Sequence, residues 1–236
     1  MITEPPAARS HRAWSDPAVA GVLFAWFSPA FPIGSFAYSH GLETAVAEGR
    51  ITAERDLAVW LEDILIHGAG WTDAVLLSLA HRAVLMADGD ALLQAAELAC
   101  ALAPSRERLA ETLGQGEAFL TAVRAGWPSV LADVLPRRAA YPVAAGAAGG
   151  GIGAPIGAVL AAYLTGFTAN LIAAGLRLGL CGQSGGLRIL SSLGPSIADL
   201  ATRATNADEE DLGGCALASD IVSMRHETLH MRLFLA

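Results

Sequence analysis

LAVWLEDILIHGAGWTDAVLLSLAHRAVLM, residues 57–86, is the stretch of sequence that decides the fold class. Large apolar residues recur in it at steps of three and four along much of its length, at Trp60, Ile64, Trp71, Val75, Leu79 and Met86. This spacing places them along one face of a helix. Gly68 and Gly70 interrupt the pattern, so the sequence predicts two consecutive helices here.

Helical signals continue in both directions from this stretch. Upstream, Asp16-Pro17 is typical of a helix start and predicts a helix that ends before Pro29. A second helix is predicted from about Gly41 to Gly49. Downstream, the apolar pattern predicts helices over 91–102, through Leu109, Leu113 and Leu120, from Trp127 to about Leu135, over 156–176, 185–193 and 195–205, and over 217–234.

No strand pair alternates convincingly, and no alternation of strands and helices appears. The sequence therefore predicts an all-α fold, a single-domain bundle of roughly ten helices. Residues 1–15 are predicted to be a loose N-terminal arm, residues 16–236 the helical domain, and residues 225–236 a flexible C-terminal tail. The charges on the helix after Pro104 are predicted to lie on a solvated face, at Arg106, Glu107, Arg108, Glu111 and Glu117.

Between Arg138 and Arg177 lie 38 residues without a charge. The part from Ile156 to Leu176 is long enough to cross a bilayer, for which about 20 apolar residues suffice. Alanine, glycine and polar residues such as Asn170 weaken that reading. A central helix buried in the protein is the favoured interpretation.

Charge and composition limit the function. The net charge is −8 and all 15 basic residues are scattered arginines, which argues against nucleic-acid binding. Without lysine there is no Walker A phosphate site. The glycine-rich run over 145–157 lacks the spacing of a dinucleotide loop, so no cofactor is predicted. Three cysteines without a CxxC pair, and no secretory signal, favour the cytoplasm.

The segment HETLH, residues 226–230, spells the H-E-x-x-H pattern of zinc hydrolases. On a helix, His226 and His230 would lie one turn apart and could share a metal, with Glu227 as general base. A catalytic zinc site needs a third protein ligand. Upstream histidines are available, but none stands at a recognisable ligand spacing. A zinc-dependent hydrolase therefore remains the alternative interpretation, with His226 and His230 as its metal ligands.

Three stretches resemble the urease accessory protein UreF family. FSPAFPIGSFAYSHGLETAVAEGRI, residues 27–51, is similar to the family's first signature. LRLGLCGQSGGLRIL, residues 176–190, resembles a later one, and DIVSMRHETLHMRLFLA, residues 220–236, resembles its closing segment. The matching positions are Pro32, Gly34, Ser35, Phe36, Ser39, Gly41 and Glu43 in the first stretch, Arg177 and Gln183 in the second, and His226, Glu227, Arg232, Leu233 and Phe234 in the third.

The resemblance implies a non-enzymatic, all-α scaffold without a cofactor of its own. Proteins of this family dimerise, bind the accessory protein UreD (also called UreH), and thereby recruit the GTPase UreG. The assembly acts on urease apoprotein in nickel delivery, and the nucleotide belongs to UreG. The matched residues are accordingly expected to bind partners, with Arg177 near UreG. Arg232 is expected to tie the tail to the loop over 32–39 through backbone carbonyls.

Overall fold

The computed structural model describes residues 16–130 and 138–235. The predicted arm over 1–15 and most of the predicted helix after Trp127 lie outside the described residues. Within them the fold is all-α, as predicted, and no strand occurs in these two ranges. The described part of the chain contains ten α-helices: α1 (Pro17–Trp26), α2 (Leu42–Ala47), α3 (Glu54–His67), α4 (Ala69–Leu85), α5 (Gly89–Ala101), α6 (Arg106–Gly126), α7 (Tyr141–Gly151), α8 (Ile156–Arg177), α9 (Gln183–Ala204) and α10 (Leu217–His226).

Local sequence accounts for most helix boundaries. At the start of α1, the Asp16 side chain accepts a hydrogen bond from the Ala18 amide at 2.9 Å, with Pro17 at the first helical position. The break between α3 and α4 falls at Gly68, as the glycine pattern predicts. A side chain at Gly70 would overlap the backbone of Leu65, so glycine is needed where the second helix turns away from the first.

The centre of the bundle is the contact between α4 and α7. Helix α7 is buried along nearly its whole length, and its residues are mostly alanine and glycine. A methyl group at Gly146 would overlap the carbonyl oxygen of Leu77, and one at Gly150 would lie 2.9 Å from the carbonyl oxygen of His81. The uncharged stretch is therefore small-residue packing, in which two helix backbones touch.

Among the described residues, helix α8 is the one helix whose length and composition would allow it to cross a membrane. It has 22 residues, a mean hydropathy of 1.6 over its most apolar window, and 44% of that window is buried in the protein. Its polar residues Tyr163 and Thr168 face the interior, and the Tyr163 hydroxyl donates to Asp73. The helix packs against α3, α4, α7 and α9. This agrees with the interpretation of a core helix for its buried face.

The two helices predicted over 185–193 and 195–205 are a single helix, α9, with Pro195 inside it. The proline breaks one backbone hydrogen bond, and the expectation that it starts a new helix was wrong. Buried residues continue at helical spacing on both sides, at Ile189, Leu193, Ile197 and Leu200. Packing of this continuous apolar face outweighs the local cost of the proline.

Candidate functional site

The loop over residues 28–41 is folded by its glycines and aromatics. Gly34 and Gly41 have φ of +72° and +78°, which favours glycine. At Gly41 a Cβ would lie 2.9 Å from the Ser223 amide nitrogen, so glycine also permits the close approach of α10. Phe31 packs against Phe119 with ring centroids 5.5 Å apart, whereas Phe36 is 76% exposed.

The C-terminal tail is not a continuation of α10. The helix predicted over 217–234 ends at His226, and residues 227–235 run across the loop described above. The Leu235 amide donates to the carbonyl oxygen of Ala37 at 2.8 Å. In a continuing helix, this amide would donate to a carbonyl oxygen of the preceding turn. Its hydrogen bond to the loop therefore takes the place of the helical hydrogen bond predicted for this end of the chain.

Glu43 joins the tail to the first signature. Its side chain lies in α2 and is almost fully buried, and its Oε1 accepts from the Leu233 amide at 2.6 Å. Its Oε2 accepts from the Phe234 amide at 3.2 Å and from Nε2 of His226 at 3.1 Å. Ser39 Oγ in turn accepts from the Glu43 amide at 3.3 Å. One carboxylate therefore pairs with two tail amides and with Nε2 of a histidine that is 0% exposed.

Arg177, from the second signature, contacts both the loop and the tail. Its guanidinium donates to the carbonyl oxygen of Phe36 and lies over the ring of Phe234, 4.2 Å from the ring centroid. Phe234 is 3% exposed, so the ring is held between the arginine and the core. This geometry gives both a hydrogen bond and a cation–π contact. The three signature stretches, which are far apart in sequence, thus meet at one place.

Arg232 does not make the contact predicted for it. Its Nε donates to the carbonyl oxygen of Leu229 at 3.1 Å, and its Nη2 donates to the carbonyl oxygen of Glu227. Both acceptors belong to the tail itself rather than to the loop over 32–39. The contacts between loop and tail are made instead by Glu43, Arg177 and the Ala37 carbonyl. These hydrogen bonds are local to the tail, and the Arg232 side chain stays exposed.

Other matched residues lie at the edge of this arrangement or outside it. Pro32 is exposed and Ser35 is half-buried in the short helical turn Ser35–Ala37. Gln183 begins α9 and is exposed. It lines a groove between α8 and α9 together with Leu176 and Leu187.

The HETLH segment does not form the metal site of the alternative interpretation. Because α10 ends at His226, His230 is not one helical turn away on the same face. His226 directs Nε2 to Glu43, His230 is exposed, and Glu227 lies 3.4 Å from Arg106. Across residues 16–130 and 138–235, no cluster of three or more histidines, cysteines or acidic residues is placed to hold a metal. The zinc hydrolase reading is not favoured.

A buried ionic cluster lies behind the loop, where the sequence predicted a solvated face. Arg108 and Glu111 are 7% and 4% exposed, and Nη1 of the arginine is 2.6 Å from Oε2 of the glutamate. Burial alone would raise the pKa of Glu111, but the charge of Arg108 and contact with His40 lower it to about 2. Burial, aided by Arg108, lowers the pKa of His40. An i,i+3 pair in sequence does not reveal which face it occupies.

Asp73 of α4 belongs to the same cluster. It accepts a hydrogen bond from the Tyr163 hydroxyl at 2.7 Å, and it is 8% exposed. Burial raises the pKa of this carboxyl from 3.8 to about 6, although Arg108 and the hydrogen bond oppose the rise. The ionised form therefore costs the folded state free energy at neutral pH.

Asp73→Asn is expected to raise the free energy of unfolding at pH 7.5. A pKa about two units above its ordinary value corresponds to roughly 3 kcal/mol, which sets the upper limit of the gain. The cost of Asp73 is absent below about pH 3, where both folded and unfolded states are protonated; it grows as pH rises from about 4 to about 6 and is fully present at pH 7.5. Urea denaturation at pH 4 and 7.5 measures the difference. A variant less stable than wild type at pH 7.5 would show that the Arg108 attraction dominates.

The sequence is similar to known proteins over most of its length. A family model described as UreF matches residues 51–194. The chain is 48% identical over 212 residues to a Rhizobium etli protein named urease accessory protein UreF, covering 90% of this chain and 94% of that one. It is also 48% identical over 221 residues to the Brucella canis protein named urease accessory protein UreF 1, covering 93% and 96%.

Proposed function

This chain belongs to the UreF family of urease accessory proteins, and on that premise we propose that it is a non-enzymatic scaffold for urease maturation. With UreD (UreH) it recruits and regulates the GTPase UreG, and the complex delivers nickel to urease apoprotein. It works in the cytoplasm without a cofactor of its own, does not act on nucleic acid and does not insert into a membrane.

The observation that carries this proposal is an exposed apolar surface on an anchored backbone. We define the tail surface as the side chains of Phe36, Met231, Leu233 and Leu235, which are 76%, 87%, 55% and 67% exposed. The backbone beneath them is held by Glu43 and the Ala37 carbonyl. Large apolar side chains that stay exposed on an ordered backbone are typical of a protein-docking site.

The arginines beside the tail surface suit a protein partner. Arg177 and Arg232 are exposed, and each already uses part of its guanidinium on backbone carbonyls. Their remaining N–H donors can reach acceptors on a partner, and arginine is enriched at binding hot spots. A scaffold that holds UreG here needs no nucleotide site of its own.

Self-association is proposed along α1 and α8. A cleft of about 410 Å³ lies between them, and its lining is mainly apolar. Phe24 on its rim is 75% exposed. Small residues of α8, including Ala162 and Gly166, allow close approach of another helix. This face supports a homodimer within the complex, as the family resemblance implies.

Arg232→Ala is expected to leave the fold intact and to weaken capture of UreG by the complex with UreD. The side chain is exposed, so the free energy of unfolding should change by less than about 0.5 kcal/mol. Loss of a docking arginine should raise the dissociation constant about tenfold. Co-purification with titrated UreG measures it. Arg55→Ala, an exposed arginine on α3, is the matched control. Equal capture by both variants would contradict this role.

A further inference from the structure

A small polar cavity lies beneath the loop, next to the buried ionic cluster. Its volume is about 70 Å³, which exceeds the space that two water molecules need. Residues from α4, α5, α6, α7 and α10 line it together with His40 of the loop. The polar lining residues are His40, Thr72, Asp73, Arg108, Thr112 and Asp220.

Three ionisable side chains that line the cavity are more than nine-tenths buried. His40, Asp73 and Arg108 are 4%, 8% and 7% exposed. Nδ1 of His40 has no hydrogen-bond partner among the described residues, since its nearest acidic oxygen, on Glu111, is 3.8 Å away. The Arg108 guanidinium has five N–H donors, more than its contact through Nη1 with Glu111 can use.

Buried polar groups of this kind are costly unless they are hydrogen-bonded. The cavity is polar and large enough for water, and its walls offer both donors and acceptors. We propose that it is a hydrated site, in which ordered water molecules bind His40, Asp73 and Arg108 and thereby hold the loop in the conformation that receives the tail. This proposal concerns the isolated chain and goes beyond the proposed function.

The connection to the tail runs through the turn at His40 and Gly41. Both residues have positive φ, +56° and +78°, and such a conformation in a non-glycine residue persists only when its surroundings fix it. The residues on either side bind the tail site: Ser39 contacts the Glu43 amide, and Gly41 packs against Ser223 of α10. If water molecules hold the His40 ring in place, they also hold Ser39 and Gly41 in the positions that contact the tail site.

The first test is a crystal structure of the isolated protein at a resolution that shows ordered solvent. The expected result is density for at least two water molecules, with one within hydrogen-bond distance of the His40 imidazole. A dry cavity in which the three side chains pair directly with one another would overturn the proposal.

The second test is hydrogen exchange of the tail amides in His40→Asn. Asparagine tolerates positive φ, but its shorter side chain cannot replace the imidazole in the cavity. Exchange of the amides of residues 233–235 is expected to accelerate about tenfold or more. His81→Asn is the matched control, because His81 is 2% exposed and lies outside the cavity lining. Acceleration that is absent, or equal in both variants, would refute the link to the tail. Neither test involves UreD or UreG, so failure here leaves the scaffold proposal standing.

Discussion

Glu43→Ala is expected to release the C-terminal tail while the helical bundle stays folded. The substitution removes the acceptor of the Leu233 and Phe234 amides and leaves His226 buried without its partner on Nε2. Hydrogen bonds to a charged group contribute about 1.5–3 kcal/mol each, and unsatisfied buried groups add a cost. A loss of about 3 kcal/mol in local stability corresponds to roughly a hundredfold faster exchange of the two tail amides. Hydrogen-exchange mass spectrometry of residues 227–235 measures it.

Release of the tail should also disorder the tail surface. On the proposed function, capture of UreG by the complex with UreD should then fall as well. Glu48→Ala provides the control within the same segment of chain. Glu48 follows α2, is exposed, and pairs with Arg50 and Arg225 at the surface. Its loss should change tail exchange less than threefold, since exposed ion pairs contribute little. If Glu43→Ala leaves the exchange of both tail amides as slow as in wild type, the carboxylate is not the anchor.

Arg108→Ala is expected to destabilise the whole domain by about 3–5 kcal/mol. That is the usual cost of leaving one member of a buried ion pair without its partner. Glu111 is 4% exposed and would have to ionise without the neighbouring guanidinium, close to the carboxyl of Asp73. Urea denaturation at neutral pH measures the loss, and much of it should be recovered at low pH, where Glu111 becomes protonated.

The double variant Arg108→Met with Glu111→Leu separates the cost of an orphaned charge from the value of the pair. Apolar residues of similar size often replace a buried ion pair at little cost. The double variant should therefore be at least about 2 kcal/mol more stable than Arg108→Ala. If the two are equally unstable, the ion pair itself stabilises the fold and the stated reason for the loss is wrong.

The sequence predicted the elements whose cause is local. The Asp16 cap and the break at Gly68 were found because a capping side chain and a glycine act on the backbone next to them. Pro195 misled for the converse reason. The proline does weaken the helix locally. However, the apolar face of α9 continues on both sides of Pro195, and this face is buried only if the helix stays continuous and packs on other helices. Local signals predict boundaries, whereas tertiary contacts decide which of them are kept.

The site was predicted less completely, because its chemistry depends on long-range contacts. Family resemblance singled out Glu43, Arg177 and Phe234, but neither spacing nor composition pairs residues separated by 190 positions or more, as Leu233 and Glu43 are. The same limit explains why Arg232 was assigned the contact that Glu43 and Arg177 make. The burial of Arg108 and Glu111 was hidden because residues three apart pair equally well on either face of a helix.

Backbone contact between α4 and α7 makes the middle of the bundle stiff. Where glycine leaves no side chain between two helices, there are no rotamers that can change to let one helix slide along the other. We therefore expect the two helices to move together rather than to slide past each other. A partner that binds the tail can displace α10 and the loop relative to α4 and α7, which keep their positions. Docking at this surface should consequently reshape the outer layer of the protein and leave the distances between α4 and α7 unchanged.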